Sequence, residues 1–472
     1  MSKLTVKAKN TNYCARLIRL PAPRAHSNAN KLLCVSVLGN NVITGLNATE
    51  GAPYVFFPLE SSINTEYLTH SNSLDDPSLN RDKKTKGFFS PKHGRVKALS
   101  LRSERSEGYA APAHTIEEWS GYKFKEDDFD KDFDHIGDVK LCEKYINRDA
   151  LRKQNQAENR AKKGGKVKRE SRLVENQFRL SPDYKQLKRE IVTLKPDDWI
   201  EITSKWHGAN GVISRVLTKR KLSVADKIAK FFGAQVIESQ YDLVYASRRV
   251  IKNEFADQKS GSFYDSNIWE IVANKYKDAL QDGITLIGEV VGYTPTGTPI
   301  QSMKGKAYDY GCEVGKCDFI VFRINYTNPS GKVFEFSFQQ VMDYCKKYGL
   351  KHVPVYFIGQ AKELYYNLYL KHEYSHNNSA FADCGIEPDE QIDGRGWRDK
   401  FLQLLVKEYL EKDDIYCKTK GLADEGIVLS RRVDVFEGLK LKSFKFLQGE
   451  TQEADDGKVD METQESVETP NE

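Results

Sequence analysis

Apolar residues in the first 115 positions come as short alternating runs, each cut off by glycine, proline or asparagine. Leu32 to Leu38 runs into Gly39-Asn40-Asn41 and resumes at Val42-Ile43-Thr44, which predicts a β-hairpin turning at Gly39-Asn40-Asn41. Tyr54-Val55-Phe56-Phe57 follows the break Gly51-Ala52-Pro53, and Arg95 to Arg102 reads as a later strand with basic residues at both ends. Short strands at this spacing predict a small closed β-barrel over residues 1–115.

The pattern changes between 116 and 195. Glu126 to Asp132 is acidic and loop-like, and Arg152 to Arg172 holds nine basic residues against Glu158 and Glu170. Helix formers lead that segment into Gly164-Gly165, so a linker carrying a flexible basic insert is expected. From 196 to 448 longer elements return. Ser266 is placed to cap a helix over Asn267–Tyr276 that stops by Gly283, and Trp397 to Leu410 predicts a second helix with Phe401, Leu404, Leu405 and Tyr409 inward. Glu201 to Ile213, Thr285 to Tyr293, Asp424 to Ser430 and Leu439 to Phe444 read as strands.

Composition adds a charge asymmetry. The 472 residues carry a net charge of +5, but residues 450–472 hold nine acidic groups against Lys458, leaving +13 on the remainder. A body this basic suits a polyanionic partner, and the acidic end from 449 is expected to be disordered. No run of about 18 apolar residues predicts a spanning helix, so no membrane partner is expected. Residues Met1 to Lys7 lack the apolar core of an export signal, and the eight cysteines follow no disulfide spacing. Reduced thiols in a cytoplasm, a host cytoplasm if the source is viral, and a monomeric chain are expected.

Within the strand-like segments, polar groups stand where a buried strand has little use for them. Lys205, in Lys205-Trp206-His207-Gly208, ends one run at a glycine turn. Glu289 interrupts the apolar run Thr285 to Tyr293, and Glu425 stands at the mouth of another. A buried carboxylate is costly without a cation or strong donors. In Leu439-Lys440-Leu441-Lys442 the period of two sends the leucines to one face and the lysines to the other. Those ammonium groups, about 7 Å apart along a strand, repel unless an anion lies beside them.

Taken in order, Lys205, Glu289, Glu425 and Lys440-Leu441-Lys442 resemble motifs I, III, IV and V of the covalent nucleotidyltransferase superfamily of ligases and capping enzymes, with His207 similar to the RNA ligase branch. Arg248 is similar to motif Ia and Phe322 to motif IIIa. Val55 to Ser61, Gly94 to Ala98, Leu101 to Ser103 with Ser106-Glu107-Gly108, Leu194 to Asp198 and Tyr348 to Val355 extend the resemblance to the Deinococcus-type RNA ligases. It implies an α+β chain: an OB-like β-barrel over 1–115, a linker over 116–195, a nucleotidyltransferase domain of antiparallel sheets with flanking helices over 196–448, and the acidic tail over 449–472.

The resemblance implies ATP-dependent joining of a 3′-OH to a 5′-phosphate in RNA or an RNA-containing duplex, as in RNA repair. Lys205 would take AMP from ATP. Lys440 and Lys442 would contact the phosphates and favour the neutral form of that lysine. Glu425, with Glu289 near the metal, would bind Mg²⁺ or Mn²⁺. Glu289 and Arg248 would hold the ribose, Phe322 would stack on adenine, and His207 would assist departure of pyrophosphate. Arg249 rivals Arg248, Phe319 rivals Phe322, Arg323 stands where related motifs often carry Asp, and Ser204 replaces a usual Glu. A helical insert around Leu222–Phe232 lengthens the path from Lys205 to Arg248.

The alternatives are a capping-type or DNA-ligase-type transferase and a catalytically silent RNA-binding protein on the same scaffold. His372-Glu373-Tyr374-Ser375-His376 also satisfies a zinc-hydrolase pattern, with Glu387 or Asp383 as a third ligand, and Cys312, Cys317 and Cys384 offer an irregular structural set. A short pattern in a long polar chain is more often accidental, and the ligase reading is preferred.

Overall fold

The turn between Val37 and Asn40 sets the hairpin expected near the start of the chain, whose computed structural model describes residues 3–147, 152, 170–255, 266–374, 396–432 and 436–457. Strands β1 (Ala15–Arg19), β2 (Ala29–Val37), β3 (Asn40–Gly45), β4 (Pro53–Pro58) and β5 (Gly108–Pro112) make up most of the N-terminal module. The β2–β3 turn is Leu38-Gly39, both left-handed, rather than the expected Gly39-Asn40-Asn41. Two such residues match the twist of the flanking strands.

The expected closed barrel is replaced by open sheets. One runs β5, β4, β1 and Asp132–Phe133; another runs Arg24–His26, β2 and β3. The physical reason lies in β4, where Val55 and Phe57 enter one core while Tyr54 and Phe56 enter another. A sheet covered on both faces buries its apolar residues without closing on itself. The expected strand Arg95–Arg102 shrinks to Leu99–Leu101, because Arg95 is drawn into a buried ion pair with Glu60.

The C-terminal two-thirds is built on two antiparallel sheets, confirming the α+β class. The first is ordered β11 (Val355–Gln360), β6 (Trp199–Lys205), β12 (Gly426–Arg432) and β13 (Phe436–Lys442), with Lys185–Gln186 parallel to β13. The second is ordered β8 (Ser239–Ser247), β7 (Ala209–Lys219), β9 (Ile284–Gly292) and β10 (Cys317–Thr327), with Val333–Glu335 on its edge. Helices α1 (Val224–Phe231), α2 (Ile268–Tyr276), α3 (Phe338–Tyr348), α4 (Ala361–Tyr369), α5 (Gly396–Tyr409) and α6 (Phe444–Asp455) complete the domain. Asn267, not Ser266, caps α2 by accepting from the Glu270 N–H.

Period-two patterning orients the first sheet. Ile200, Ile202, Leu439 and Leu441 pack with Trp397, Phe401, Leu404 and Leu405 of α5. That choice turns Thr203, Lys205, Lys440 and Lys442 to the opposite face. The chain then crosses from β6 to β7 through Trp206-His207-Gly208, so Lys205 stands where the two sheets meet. A Cβ on Gly208 would lie 2.7 Å from the Val290 carbonyl oxygen, which fixes glycine at this close crossing.

The acidic end departs from expectation. Helix α6 continues to Asp455, past position 449, because Phe444 and Phe446 are buried and Ser443 caps its first turn. Residues 458–472 and most of the basic insert lie outside the described residues. No described helix is long and apolar enough to cross a membrane. Phe401 is fully buried under the first sheet, so Phe401→Ala is expected to cost about 3–5 kcal/mol in urea unfolding.

Candidate functional site

The inner face of the first sheet opens into a cleft of about 810 Å³ that reaches both the second sheet and the N-terminal module. Lys205, His207, Arg248, Glu289, Phe322, Glu425, Lys440 and Lys442 all line it, although they come from six separate stretches of sequence.

At its centre lies Glu425, only 2 % exposed. Its Oε1 is 2.8 Å from Lys205 Nζ and 3.2 Å from Lys442 Nζ, while His207 Nδ1 stands 3.9 Å from Oε2. Register explains the convergence: Lys205 faces Gly426 on β12, and Gly426 faces Lys442 on β13. The two lysines flank a position without a side chain, and the preceding carboxylate fills the space between their tips. Gly426 has φ 138°, and a Cβ there would fall 2.1 Å from the Leu441 carbonyl oxygen.

Burial pushes the Glu425 carboxyl up, but Lys205 and Lys442, with His207 adding to them, outweigh it and hold the group down at about 2. Its neighbour Asp424 goes the other way: burial raises it to about 7 despite the Gly426 N–H donated to it. Glu425 Oε2 is buried with no hydrogen-bond partner. A carboxylate oxygen left in this condition is suited to a hard cation, although among the described residues no group of three His, Cys, Asp or Glu side chains is placed to hold one, here or elsewhere.

Aromatic packing fixes the turn after Lys205. Trp206 stacks on Tyr310 at 4.2 Å and 6°, and the His207 N–H donates to the Tyr310 hydroxyl at 2.7 Å. The His207 ring meets Tyr308 and Phe446 edge-on at 5.0 and 4.9 Å. Neither tyrosine carried a signal in the sequence, since each looked like an ordinary core aromatic.

The rival positions separate by geometry. Arg248 lines the cleft while donating to Asp183 at 2.6 and 3.0 Å; Arg249 takes the other Asp183 oxygen and does not line it. Phe319 is fully buried in the core. Phe322 has no strand partner, because Gly288 pairs with Val321 and Ile287 with Arg323. This bulge re-aims the ring into the cleft, where it meets Tyr184 edge-on at 6.2 Å. Arg323 is held by Glu335, with Nε 2.9 Å from Oε2, and lies outside the cleft lining. Glu289 lies opposite Asn210 on β7, and both line the cleft.

Helix α6 and the N-terminal module close the far side. Glu450, from the stretch read as a solvated tail, lies 2.7 Å from Lys442. Asp455 meets Arg95 at 3.2 Å and Lys97 at 2.9 Å, and Arg95 also pairs with Glu60 at 2.8 Å. The zinc pattern is not assembled among the described residues: His372 Nε2 lies 2.7 Å from Glu408, and His376, Asp383, Cys384 and Glu387 fall outside them.

A family model described as RNA ligase matches residues 198–447. The fold is similar to that of a Naegleria gruberi RNA ligase variant in its apo form, at 14% identity and a TM-score of 0.52, covering 93% of this chain and 98% of that one. A second variant of that ligase, with AMP and Mn, gives 14% identity and a TM-score of 0.51 over 92% of this chain and 98% of that one. No curated protein matches.

Two outcomes follow from the ion cluster. A carboxyl held below its unfolded value contributes stability above about pH 4.5 that is lost as pH falls towards 2. Glu425→Gln should therefore flatten the acid limb of a stability–pH curve between those values. Gly426→Ala should destabilise the fold by more than about 1 kcal/mol in thermal unfolding, through strain at a left-handed position.

Proposed function

The chain belongs to the RNA ligase family, and on that premise we propose that it is an ATP-dependent RNA ligase that carries AMP on Lys205. The observation that carries this reading is the placement of Lys205 Nζ at the cleft wall, 2.8 Å from buried Glu425 and beside the Lys440 and Lys442 face.

In the first step Lys205, an ammonium while it pairs with Glu425, releases a proton to solvent, and the resulting amine attacks the α-phosphorus of ATP and sheds its second proton as the adduct forms. An N–P bond forms, the bond to the bridging oxygen breaks, and pyrophosphate leaves. AMP then passes from Lys205 to an RNA 5′-phosphate, and a 3′-hydroxyl attacks that phosphorus to expel AMP and close the strand. Lys440 and Lys442 hold phosphate oxygens and offset their charge, and His207 assists departure of pyrophosphate. Phe322 offers a face to adenine, and Arg248 and Glu289 hold the ribose.

Glu425, with Glu289 as a second candidate, would hold Mg²⁺ or Mn²⁺. Held there, such an ion would supply charge neutralisation at the phosphates. The unpartnered Oε2 of Glu425 supports this.

The finer assignments form part of the same proposal. We read the N-terminal module, whose sheets stay open, as a partly open OB-like fold and the subfamily as Deinococcus-type, on the motifs around Glu60 and Arg95, both of which line the cleft. The RNA end enters from that side. The described cysteines are free thiols, in keeping with a cytoplasmic setting, and the chain acts as a monomer.

Incubation with α-labelled ATP and Mg²⁺ should leave label on the protein, none on Lys205→Ala, and roughly 10²–10³-fold slower labelling of Lys442→Ala. No label on the native chain under varied metals would contradict the reading, and label from GTP instead would point to a capping-type transferase.

A further inference from the structure

Between β7 and β8 the chain inserts α1, at the end of the second sheet remote from Lys205. With Lys219 about ten residues from Ala209 along β7, this insertion stands roughly 30 Å from the cleft. None of the α1 residues is buried. Val224, Phe231, Phe232 and Ile237 are 74, 85, 79 and 75 % exposed, and Ile228 is 53 % exposed. Isolated exposed apolar side chains need no explanation, but five gathered on one insertion do.

The insertion is nevertheless well built. Ser223 and Asp226 form a reciprocal cap, Arg220 donates to the Ile237 carbonyl at 2.9 Å, and Phe231 meets Phe232 edge-on at 5.4 Å. Val224, Ile228 and Phe231 recur at i, i+4 and i+7, so they share one arc with Phe232 beside them. Lys227 and Lys230 lie along one edge of that arc. From Lys219 to Glu238 the segment holds five basic residues against two acidic ones, and both acids pair within it, Asp226 with Arg220 at 3.0 Å and Glu238 with Lys230 at 2.6 Å.

We propose that this insertion is a docking element for an anionic lipid surface, with the two phenylalanines entering the headgroup boundary and the lysines facing acidic headgroups. Charge selects this occupant. A second copy would bring two basic rims together, which repels. RNA would suit the lysines and could stack on Phe231 and Phe232, but Val224, Ile228 and Ile237 add an aliphatic surface on which no base stacks, and that surface favours the lipid interface. A convex apolar tip with a cationic rim enters a fluid interface without a preformed groove. The contact is peripheral and needs no spanning helix, so it departs from the expectation of no membrane partner; it leaves the cleft free and is independent of the ligase reading.

The test is flotation of the full chain with vesicles of phosphatidylcholine alone or mixed with phosphatidylserine, for the native chain and for a Phe231→Ser/Phe232→Ser variant, with Lys221→Glu/Lys227→Glu as a second variant. Binding to the mixed vesicles only, weakened at least tenfold in either variant with an unchanged thermal midpoint, is the expected result. Absence of native binding, binding equal on both vesicles, or binding unaffected by both variants would overturn the proposal. So would a loss of RNA affinity in the phenylalanine variant, which would assign the tip to RNA.

Discussion

A carboxylate taken out of water between two ammonium groups is the constraint on which the site depends. Desolvating a charge costs several kcal/mol, and removing one partner of a buried pair is strongly destabilising. Glu425 is therefore stable only while Lys205 and Lys442 both stay within reach, at 2.8 and 3.2 Å. That condition fixes the register of three neighbouring strands. Gly426 is fixed as well, because a Cβ between the two lysines would fall 2.1 Å from the Leu441 carbonyl oxygen of the next strand.

The same cluster ties the C-terminal helix to the chemistry. Lys442 is shared between Glu425 and Glu450 of α6, and Phe446 of that helix packs on the His207 ring. Further along, Asp455 pairs with Arg95 and Lys97 of the N-terminal module. One helix thus spans from Lys442 to the module that faces it. Anions entering the cleft would meet Lys442 already paired and would have to compete with two protein carboxylates for it.

Much of this was legible in the sequence because the chemistry forces unusual residues into regular patterns. A carboxylate within an apolar run, and lysines alternating with leucines, mark a polar face on a buried strand whatever the fold. The choice between Phe319 and Phe322 was not legible, since a bulge at Ile287/Gly288 decides it and no local residue announces the shift. Tyr308 and Tyr310 were equally silent, being core aromatics until Trp206 and His207 lie against them. The barrel was over-read because period-two strands predict a sheet but not its closure; β4 is covered on both faces and has no need to close. Glu450 was lost in an acidic run whose charge masked the apolar stripe holding α6 in place.

The central claim is that Lys205, rather than another lysine of the cleft, is the atom to which AMP is joined. Peptide mapping by tandem mass spectrometry after brief exposure to ATP and Mg²⁺, under conditions that preserve a phosphoramidate, tests it most directly. The account predicts one AMP per chain, on the peptide containing Lys205 and on that side chain. AMP found on Lys440, Lys442 or any other residue, or no adduct on a chain that still seals RNA ends, would contradict it.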